Sequence, residues 1–118
     1  MSIEHIQTGS RMSQAVVHNK TVYVAGQVAT VAAGDSVAAQ TKEILSKIDA
    51  LLEDAKTEKN KILSVTIWLT DVSTFSEMNA IWDNWIVPGA APARATLMSP
   101  RLALPGLHIE IALIAAQP

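Results

Sequence analysis

The chain has 118 residues, so we predict a single domain over 1–118 that buries about two-thirds of the surface of its unfolded form. Hydrophobic residues make up 49% and charged residues only 17%, so we expect other subunits to cover part of the surface. The net charge of −2 without a basic run argues against nucleic-acid binding, and the lack of cysteine excludes disulfides, thiolate nucleophiles and zinc-thiolate sites.

The N-terminal quarter of the chain predicts three strands. Residues 3–9 form a short first strand, and residues 15–17 and 21–27 flank a polar turn as a hairpin rich in β-branched residues. Gly26 within the third strand indicates a bulge or a close approach of another group. A purely structural role for this glycine is at least as well supported by the local pattern as contact with a ligand.

After Gly34 the hydrophobic period changes from two to three or four, which predicts an amphipathic helix of about five turns. Asp35 is suited to cap its N-terminus. The apolar stripe runs from Ala38 to Leu52, and the charged residues outside it are expected to face solvent.

Residues 62–70 predict the fourth strand. Its alternation places an apolar row on one side and a polar row with one tryptophan on the other. The apolar row is Leu63, Val65, Ile67 and Leu69, and the second row is Ser64, Thr66, Trp68 and Thr70. Such a mixed row suits a partly wet cavity or a subunit contact.

A second helix is predicted from Thr74 to Ile86. Thr74 and Glu77 have the spacing of a capping box, and the run from Val87 to Gly89 ends the helix. Asn79 lies within the apolar stripe, where its amide must find hydrogen-bond partners or lose roughly 1–3 kcal/mol.

Two alternating segments, residues 92–98 and 107–114, predict the last two strands. Arg94 and Glu110 are expected to share the strand face that lacks the strongest apolar row. In a simple hairpin with Thr96 opposite His108 they would form a salt bridge. Alternatively, Arg94 anchors a small carboxylate while Glu110 accepts a proton or orients a water molecule. The pattern leaves both interpretations open.

The element order therefore predicts an α+β sandwich in which two helices cover one face of a mixed sheet. The other face, with Arg94, Glu110 and Trp68, is expected to form subunit contacts with sites between subunits. The three histidines lack metal-ligand spacing, so no metal is predicted. No signal peptide or membrane-spanning run is found, which favours a cytoplasmic protein without a membrane partner.

Six motifs in order along nearly the whole chain resemble the RidA/YjgF family of reactive-intermediate deaminases. Each motif alone is weak, but the ordered set with Pro-Ala-Arg near the end is fairly specific. The motifs are Ser13-Gln14-Ala15-Val16, Val24-Ala25-Gly26-Gln27, Phe75-Ser-Glu-Met-Asn79, Pro92-Ala-Arg94, Leu104-Pro105 and Ile109-Glu110-Ile111-Ala-Leu-Ile-Ala115.

The resemblance implies a chorismate-mutase-like fold and a homotrimer whose sheets form a central barrel, with clefts between subunits. It implies that residues 99–106 form a crossover, and that enamines or imines such as 2-aminoacrylate are hydrolysed to 2-oxo acids and ammonia without a cofactor. Arg94 would bind the substrate carboxylate and Glu110 would act on the attacking water. The expected substrate-binding positions are Arg94, Gly26, Gln27, Asn79, Thr96 and Met12.

The chain departs from the family pattern at three places. Ser10-Arg11-Met12 replaces the common Gly-Pro-Tyr, Thr96 replaces a frequent cysteine or serine, and Ala112 replaces the second glutamate of Glu-Ile-Glu. These departures indicate a divergent subgroup and put the substrate in doubt more than the fold. Arg11 is either a second anion contact or a surface residue.

A deaminase that uses Arg94 and Glu110 is the first hypothesis. The alternative is a non-catalytic binder or regulator on the same trimer, in which Arg94 still anchors a small carboxylate. The ribonuclease or translation-inhibitor label sometimes given to this family fits poorly with an acidic chain that has no basic track.

Overall fold

The structure, a computed structural model, describes residues 2–118 and has the predicted order of three strands, helix, strand, helix and two strands. The strands are β1 (Glu4–Thr8), β2 (Ser13–His18), β3 (Thr21–Gln27), β4 (Ile62–Leu69), β5 (Ala93–Met98) and β6 (Ile109–Ala116). The helices are α1 (Val37–Asp54) and α2 (Phe75–Trp85), with short 3₁₀ turns at Lys59–Lys61 and Val72–Thr74.

The six strands form one mixed sheet in the order β1-β2-β3-β6-β4-β5. All neighbouring pairs are antiparallel except β4 and β5, which run parallel and are joined through α2. Because β4 lies between β5 and β6, the hairpin that would pair Arg94 with Glu110 is wrong. Residues 99–108 instead cross from the edge strand to the centre of the sheet, so the crossover implied by the resemblance is confirmed.

The core lies between the sheet and the two helices. Buried side chains from both helices, among them Ile44, Ile48 and Met78, pack with the inward row of β4 and β6. One member of the predicted β4 row is wrong: Leu63 is 53% exposed, and Ile62 is buried in its place. A register shift between Ile62 and Ser64 reverses the alternation at the start of the strand.

Both predicted helix caps differ from the observed ones. Ser36, rather than Asp35, caps α1, and its hydroxyl accepts a hydrogen bond from the backbone N–H of Ala39 at 3.1 Å. The capping box of α2 is wrong because Thr74 makes no side-chain cap bond. Glu77 instead accepts the N–H of Ala38 at 2.8 Å. The N-termini of the two helices are adjacent, so a carboxylate on α2 satisfies a free donor of α1.

A buried side-chain amide on α1 forms hydrogen bonds to the crossover of residues 99–108. Gln40 is fully buried, and its amide nitrogen donates to the carbonyl oxygens of Asp35 and Gly106 at 3.0 and 2.8 Å. Its amide oxygen accepts the N–H of His108 at 2.9 Å. Gly106 has φ of +80° and lies so close to Gly34 that a side chain there would crowd the Gly34 backbone. Gln40 therefore fixes the chain immediately before β6 begins.

The face of the sheet away from the helices carries a half-exposed row of apolar and small polar side chains. We call this the open face and define it by Val16, Tyr23, Thr66, Trp68, Ala95, Leu97, Glu110, Ala112 and Ile114. Tyr23 and Leu97 are 47% and 48% exposed. Within residues 2–118, neither helix has the length and apolar character needed to cross a membrane.

Candidate functional site

Arg94 lies on the edge strand β5 and points toward α2. Its guanidinium carbon is 5.3 Å from the ring centre of Trp82 and 5.9 Å from that of Phe75. Cations are attracted to the faces of aromatic rings at such distances. Among the described residues Arg94 forms no ion pair, since the one salt bridge there joins Lys47 to Glu43. The guanidinium is therefore placed by aromatic contacts and carries no carboxylate from its own chain.

The expectation that Arg94 and Glu110 share a face is wrong. Arg94 is the register partner of buried Val65, so it belongs to the helix-covered side. Glu110 is the partner of Trp68 and belongs to the open face. Alternation alone could not assign the sides of β5, because its apolar row is mostly alanine, which gains little from burial, whereas the rings of α2 accept the arginine stem.

Two other predicted site residues lie near Arg94. Thr96 is on the same side of β5, and its hydroxyl is buried without a hydrogen-bond partner among residues 2–118. Asn79 is half-buried on α2 and lies between Phe75 and Trp82 on one helical stripe. A buried unpaired hydroxyl costs roughly 1–3 kcal/mol, so Thr96 destabilises the single chain at this position.

Glu110 is brought against Gly26 on β3. The register shifts between Val24 and Gln27, which leaves one extra residue in β3 and makes the predicted bulge at Gly26 a correct prediction. The predicted close approach is also confirmed: a Cβ built on Gly26 would lie only 2.8 Å from the carboxyl carbon of Glu110. The bulge therefore provides the space that the Glu110 carboxylate occupies.

Gln27 and Met12 lie beside this bulge. Gln27 is buried, and its amide nitrogen donates to Gln14 at 2.9 Å and to the carbonyl oxygen of Ala25 at 3.0 Å. Met12 is 50% exposed and lines a cavity of about 490 Å³ together with Gly26 and Gln27. The side chain of Gln27 is thus engaged within the chain, whereas Met12 is free to contact a neighbouring molecule. Arg11 is exposed.

The predicted site residues thus form two groups. The first, which we call the arginine group, contains Arg94, Thr96 and Asn79 on β5 and α2; the second, the glutamate group, contains Glu110, Gly26, Gln27 and Met12 on β6, β3 and the preceding loop. Two strand spacings, about 10 Å, separate β5 from β6, and the key side chains leave opposite faces. One chain therefore does not bring Arg94 and Glu110 together.

The loop that follows Gln27 is fastened by Glu43 of α1. This carboxylate accepts hydrogen bonds from the backbone N–H groups of Ala32 at 2.7 Å and Thr30 at 2.8 Å. The bond from Ala32, followed by that from Thr30, lowers the pKa of Glu43 from 4.5 to about 2, with further help from the Thr30 hydroxyl and Lys47. Glu43 thus holds the loop beside the glutamate group while ionised.

Sequence reasoning assigned no site role to Phe75, Trp82 or Gln40. The two aromatic residues were assigned only to the apolar stripe of α2. They are seven residues apart with Asn79 between them, so all three lie on the same side of the helix. Gln40 was not among the residues assigned to the stripe of α1, and the available signal was its position four residues before the apolar Ile44. Among residues 2–118, no cluster of three or more His, Asp or Glu side chains is arranged to hold a metal ion.

Comparison with known proteins identifies the family. The sequence model described as Endoribonuclease L-PSP matches residues 2–117. The chain is 39% identical to the RutC family protein YoaB of Escherichia coli K12 over 116 residues, covering 98% of this chain and 99% of the relative. A RutC family protein of Haemophilus ducreyi is also 39% identical, with 97% and 96% covered.

The fold agrees with solved structures of the same group. A YjgF family member from Neisseria meningitidis superposes with a TM-score of 0.95 at 35% identity, covering 100% of this chain and 97% of that one. A member of the YjgF/YER057c/UK114 family from Mycobacterium tuberculosis gives 0.87 at 27% identity, with 98% and 99% covered. The resemblance drawn from six short motifs is therefore confirmed, and the chain belongs to the YjgF/RidA family, whose sequence model is described as Endoribonuclease L-PSP.

Proposed function

We propose that the protein is a homotrimeric deaminase that hydrolyses small enamines and imines, such as 2-aminoacrylate or related imino acids, to 2-oxo acids and ammonia. The observation that carries the proposal is the division of the site residues into an arginine group and a glutamate group that one chain cannot join. Each group is supported by contacts within its own chain and lacks what the other provides.

The surfaces available for assembly favour this arrangement. The open face presents half-exposed aromatic and aliphatic side chains, including Tyr23, Trp68 and Leu97, which a second copy would remove from water. Cyclic packing of three sheets would close these faces into a central barrel. The arginine group lies on the outermost strand, where it can meet the glutamate group of a neighbouring copy across a cleft.

The proposed reaction requires a residue that binds the substrate carboxylate, a water molecule and a residue that accepts and returns a proton. The planar guanidinium of Arg94 would hold the substrate carboxylate in two parallel hydrogen bonds. Water then adds to the carbon of the protonated imine (C=NH₂⁺) while Glu110 takes one of its protons, which gives a neutral carbinolamine. As the C–N bond of the carbinolamine breaks and ammonia leaves, C=O forms and the hydroxyl proton passes to solvent. Glu110 returns the proton to the departing nitrogen, so the reaction consumes one water and no cofactor. An enamine first becomes the protonated imine by taking a proton at its terminal carbon.

The direct test generates 2-aminoacrylate in solution and follows pyruvate release with wild type, Arg94→Ala and Glu110→Gln. We expect acceleration by wild type and a loss of at least about 100-fold in both variants, because each loses a group that acts at the reacting centre. Arg101→Ala and Glu53→Gln, which remove exposed charges outside the two groups, should retain wild-type rates. Wild-type rates equal to buffer with every imine of an amino-acid-oxidase panel would refute the deaminase proposal.

A mixing experiment tests whether the site lies between subunits. Arg94→Ala and Glu110→Gln chains, unfolded together and refolded as mixed trimers, should recover activity that neither variant has alone. A site is intact when Arg94 comes from one variant and Glu110 from the other, so random mixing should restore about a quarter of the sites. A mixture as inactive as its components would place both residues in one protomer's site and refute the shared cleft.

One observation favours a second candidate, a binder without catalysis. Met12 is half-exposed where the family commonly has tyrosine, and its thioether offers a weak acceptor and no hydrogen-bond donor to a ligand. A binder would retain 2-oxobutanoate through Arg94 without accelerating imine hydrolysis. Calorimetric binding of 2-oxobutanoate, lost in Arg94→Ala, together with buffer-level deamination would identify this function.

A further inference from the structure

The guanidinium of Arg94 rests against two aromatic rings of α2. Phe75 and Trp82 are seven residues apart, so they lie two helical turns apart on one side of the helix. Their ring centres are 5.9 and 5.3 Å from the guanidinium carbon, within the range at which a ring face attracts a cation. These two rings are the contacts that determine where the charge of Arg94 sits at the sheet edge.

An aromatic ring and a carboxylate can both hold the guanidinium of Arg94 in place, but only the ring leaves the guanidinium N–H groups free for a ligand. A carboxylate partner would occupy the N–H groups of the guanidinium and neutralise its charge, so an incoming anion would have to displace it. A ring face attracts the cation without accepting those N–H groups along the guanidinium plane. The absence of an ion pair to Arg94 within residues 2–118 therefore leaves its fork of donors and its charge available to a ligand.

Trp82 is itself held rigidly. It is 6% exposed, and its ring lies 5.5 Å from that of Trp85 at an interplanar angle of 49°. The indole N–H of Trp85 donates to the carboxylate of Asp49 on α1 at 3.1 Å. The ring beneath Arg94 is thus tied to both helices, and a long flexible side chain gains a fixed position that it would not hold alone.

We propose that Phe75 and Trp82 are positioning residues, which fix the guanidinium of Arg94 so that its donors are preorganised for a substrate carboxylate. The inference rests on the proposed function, because it assumes that Arg94 binds a carboxylate. It adds that α2 determines the affinity of that site through two residues that need not touch the ligand.

The test measures separately the contact of Arg94 with the two rings and the binding of a 2-oxo acid. The first readout is the ¹H and ¹⁵N shift of the Arg94 side chain, which ring currents from Phe75 and Trp82 displace. The second is the dissociation constant of 2-oxobutanoate measured by calorimetry. We compare wild type, Phe75→Leu, Trp82→Leu, Trp82→Phe and Trp85→Leu, which removes the neighbour of Trp82 from the same helix but no ring from Arg94.

Loss of either ring should weaken 2-oxobutanoate binding by about 3- to 30-fold and move the Arg94 signal toward its solvent value. Trp82→Phe should retain most of the affinity because it retains a ring face. Trp85→Leu leaves both rings at Arg94 but removes the neighbour of Trp82, so it should weaken binding less than Trp82→Leu does. Phe75 is 41% exposed, so Phe75→Leu gives a folded variant even where Trp82→Leu does not.

Unchanged affinity in Phe75→Leu and in whichever Trp82 variants fold, with binding still lost in Arg94→Ala, would overturn the positioning role and leave the proposed function intact. A wild-type protein that keeps a ring-shifted Arg94 signal but binds no 2-oxo acid would refute the proposed function, and the positioning role with it.

Discussion

At Gly26 the bulge of β3 brings the backbone against the Glu110 carboxylate, leaving no room for a side chain. The group that a new methyl would meet is the far end of a flexible side chain, with its carboxyl carbon at 2.8 Å. Such an end can rotate away at little cost to the fold. The position of Glu110, rather than the stability of the sheet, therefore depends on this glycine.

The substitution Gly26→Ala should displace Glu110 while changing the free energy of unfolding by less than about 1 kcal/mol. Under the proposed function, we expect imine hydrolysis to fall at least about tenfold, because the proton acceptor leaves its position. Gly9→Ala is the matched control, since a methyl there meets its nearest neighbour at an ordinary 3.7 Å. Equal activities of the two variants would contradict the dependence on Glu110 position.

The strand or helix that carries each candidate site residue was predictable, but the orientation of its side chain was not. The bulge and close approach at Gly26 followed from one glycine in a strand rich in β-branched residues. Arg94 was assigned to the wrong face, because the row of alanines on β5 gains less from burial than the arginine stem gains against two rings of α2. Only packing between elements decides such a case, and periodicity within one strand carries no information about it.

Gln40 connects three segments that are distant in sequence. We expect Gln40→Leu to leave the carbonyl oxygen of Asp35 and the N–H of His108 without this partner, and the carbonyl oxygen of Gly106 with only the N–H of Gly34, at a cost of about 3 kcal/mol. Chemical denaturation would measure this loss, and amide hydrogen exchange should show faster exchange at His108. Asn84→Leu, which removes an exposed amide on α2, is the control and should change the free energy of unfolding by about 0.5 kcal/mol or less. Unchanged exchange at His108 would contradict this role.

Glu43 makes the stability of the loop after β3 depend on pH. Its pKa is lowered from 4.5 to about 2 on folding, so the ionised carboxylate stabilises the native state above pH 4.5. This stabilisation is lost as the pH falls from 4.5 through 2. We expect Glu43→Gln to reduce the free energy of unfolding by about 1 kcal/mol at pH 7, with water screening the effect, and by progressively less toward pH 2. Urea unfolding at pH 7, 4 and 2.5 measures it, and a difference independent of pH would contradict it.

The order and type of the helices and strands were predicted more accurately than the residues that cap the helices. The order and type of all eight helices and strands followed from hydrophobic period, because each element buries one regular row. The caps did not follow, since Glu77 serves the N-terminus of α1 rather than that of its own helix. The spacing of residues along one helix identifies a side chain that is able to accept a backbone N–H. Which N–H it accepts depends on how the two helices pack against each other.

The open face presents half-exposed apolar side chains on the side of the sheet away from the helices. Placing a charge at its centre with Ile114→Asp should separate the proposed trimer into single chains, because an unpaired carboxylate resists burial. Sedimentation equilibrium should give three times the mass of one chain for wild type and one chain for the variant. Ser46→Asp, on the exposed side of α1, should sediment as wild type does. A wild-type monomer would contradict the trimer.

The strand order has a consequence for how the molecule is made. β6 is the last strand in the sequence, yet it lies at the middle of the sheet, between β3 and β4. The hairpins formed early and the later βαβ unit share no hydrogen-bonded strands until β6 enters between them. Because β6 follows every other strand in the sequence, the sheet can be completed only after all its other strands have been synthesised. The two halves of the sheet therefore remain unconnected by strand hydrogen bonds, and the open face incomplete, until β6 pairs with both of its neighbours.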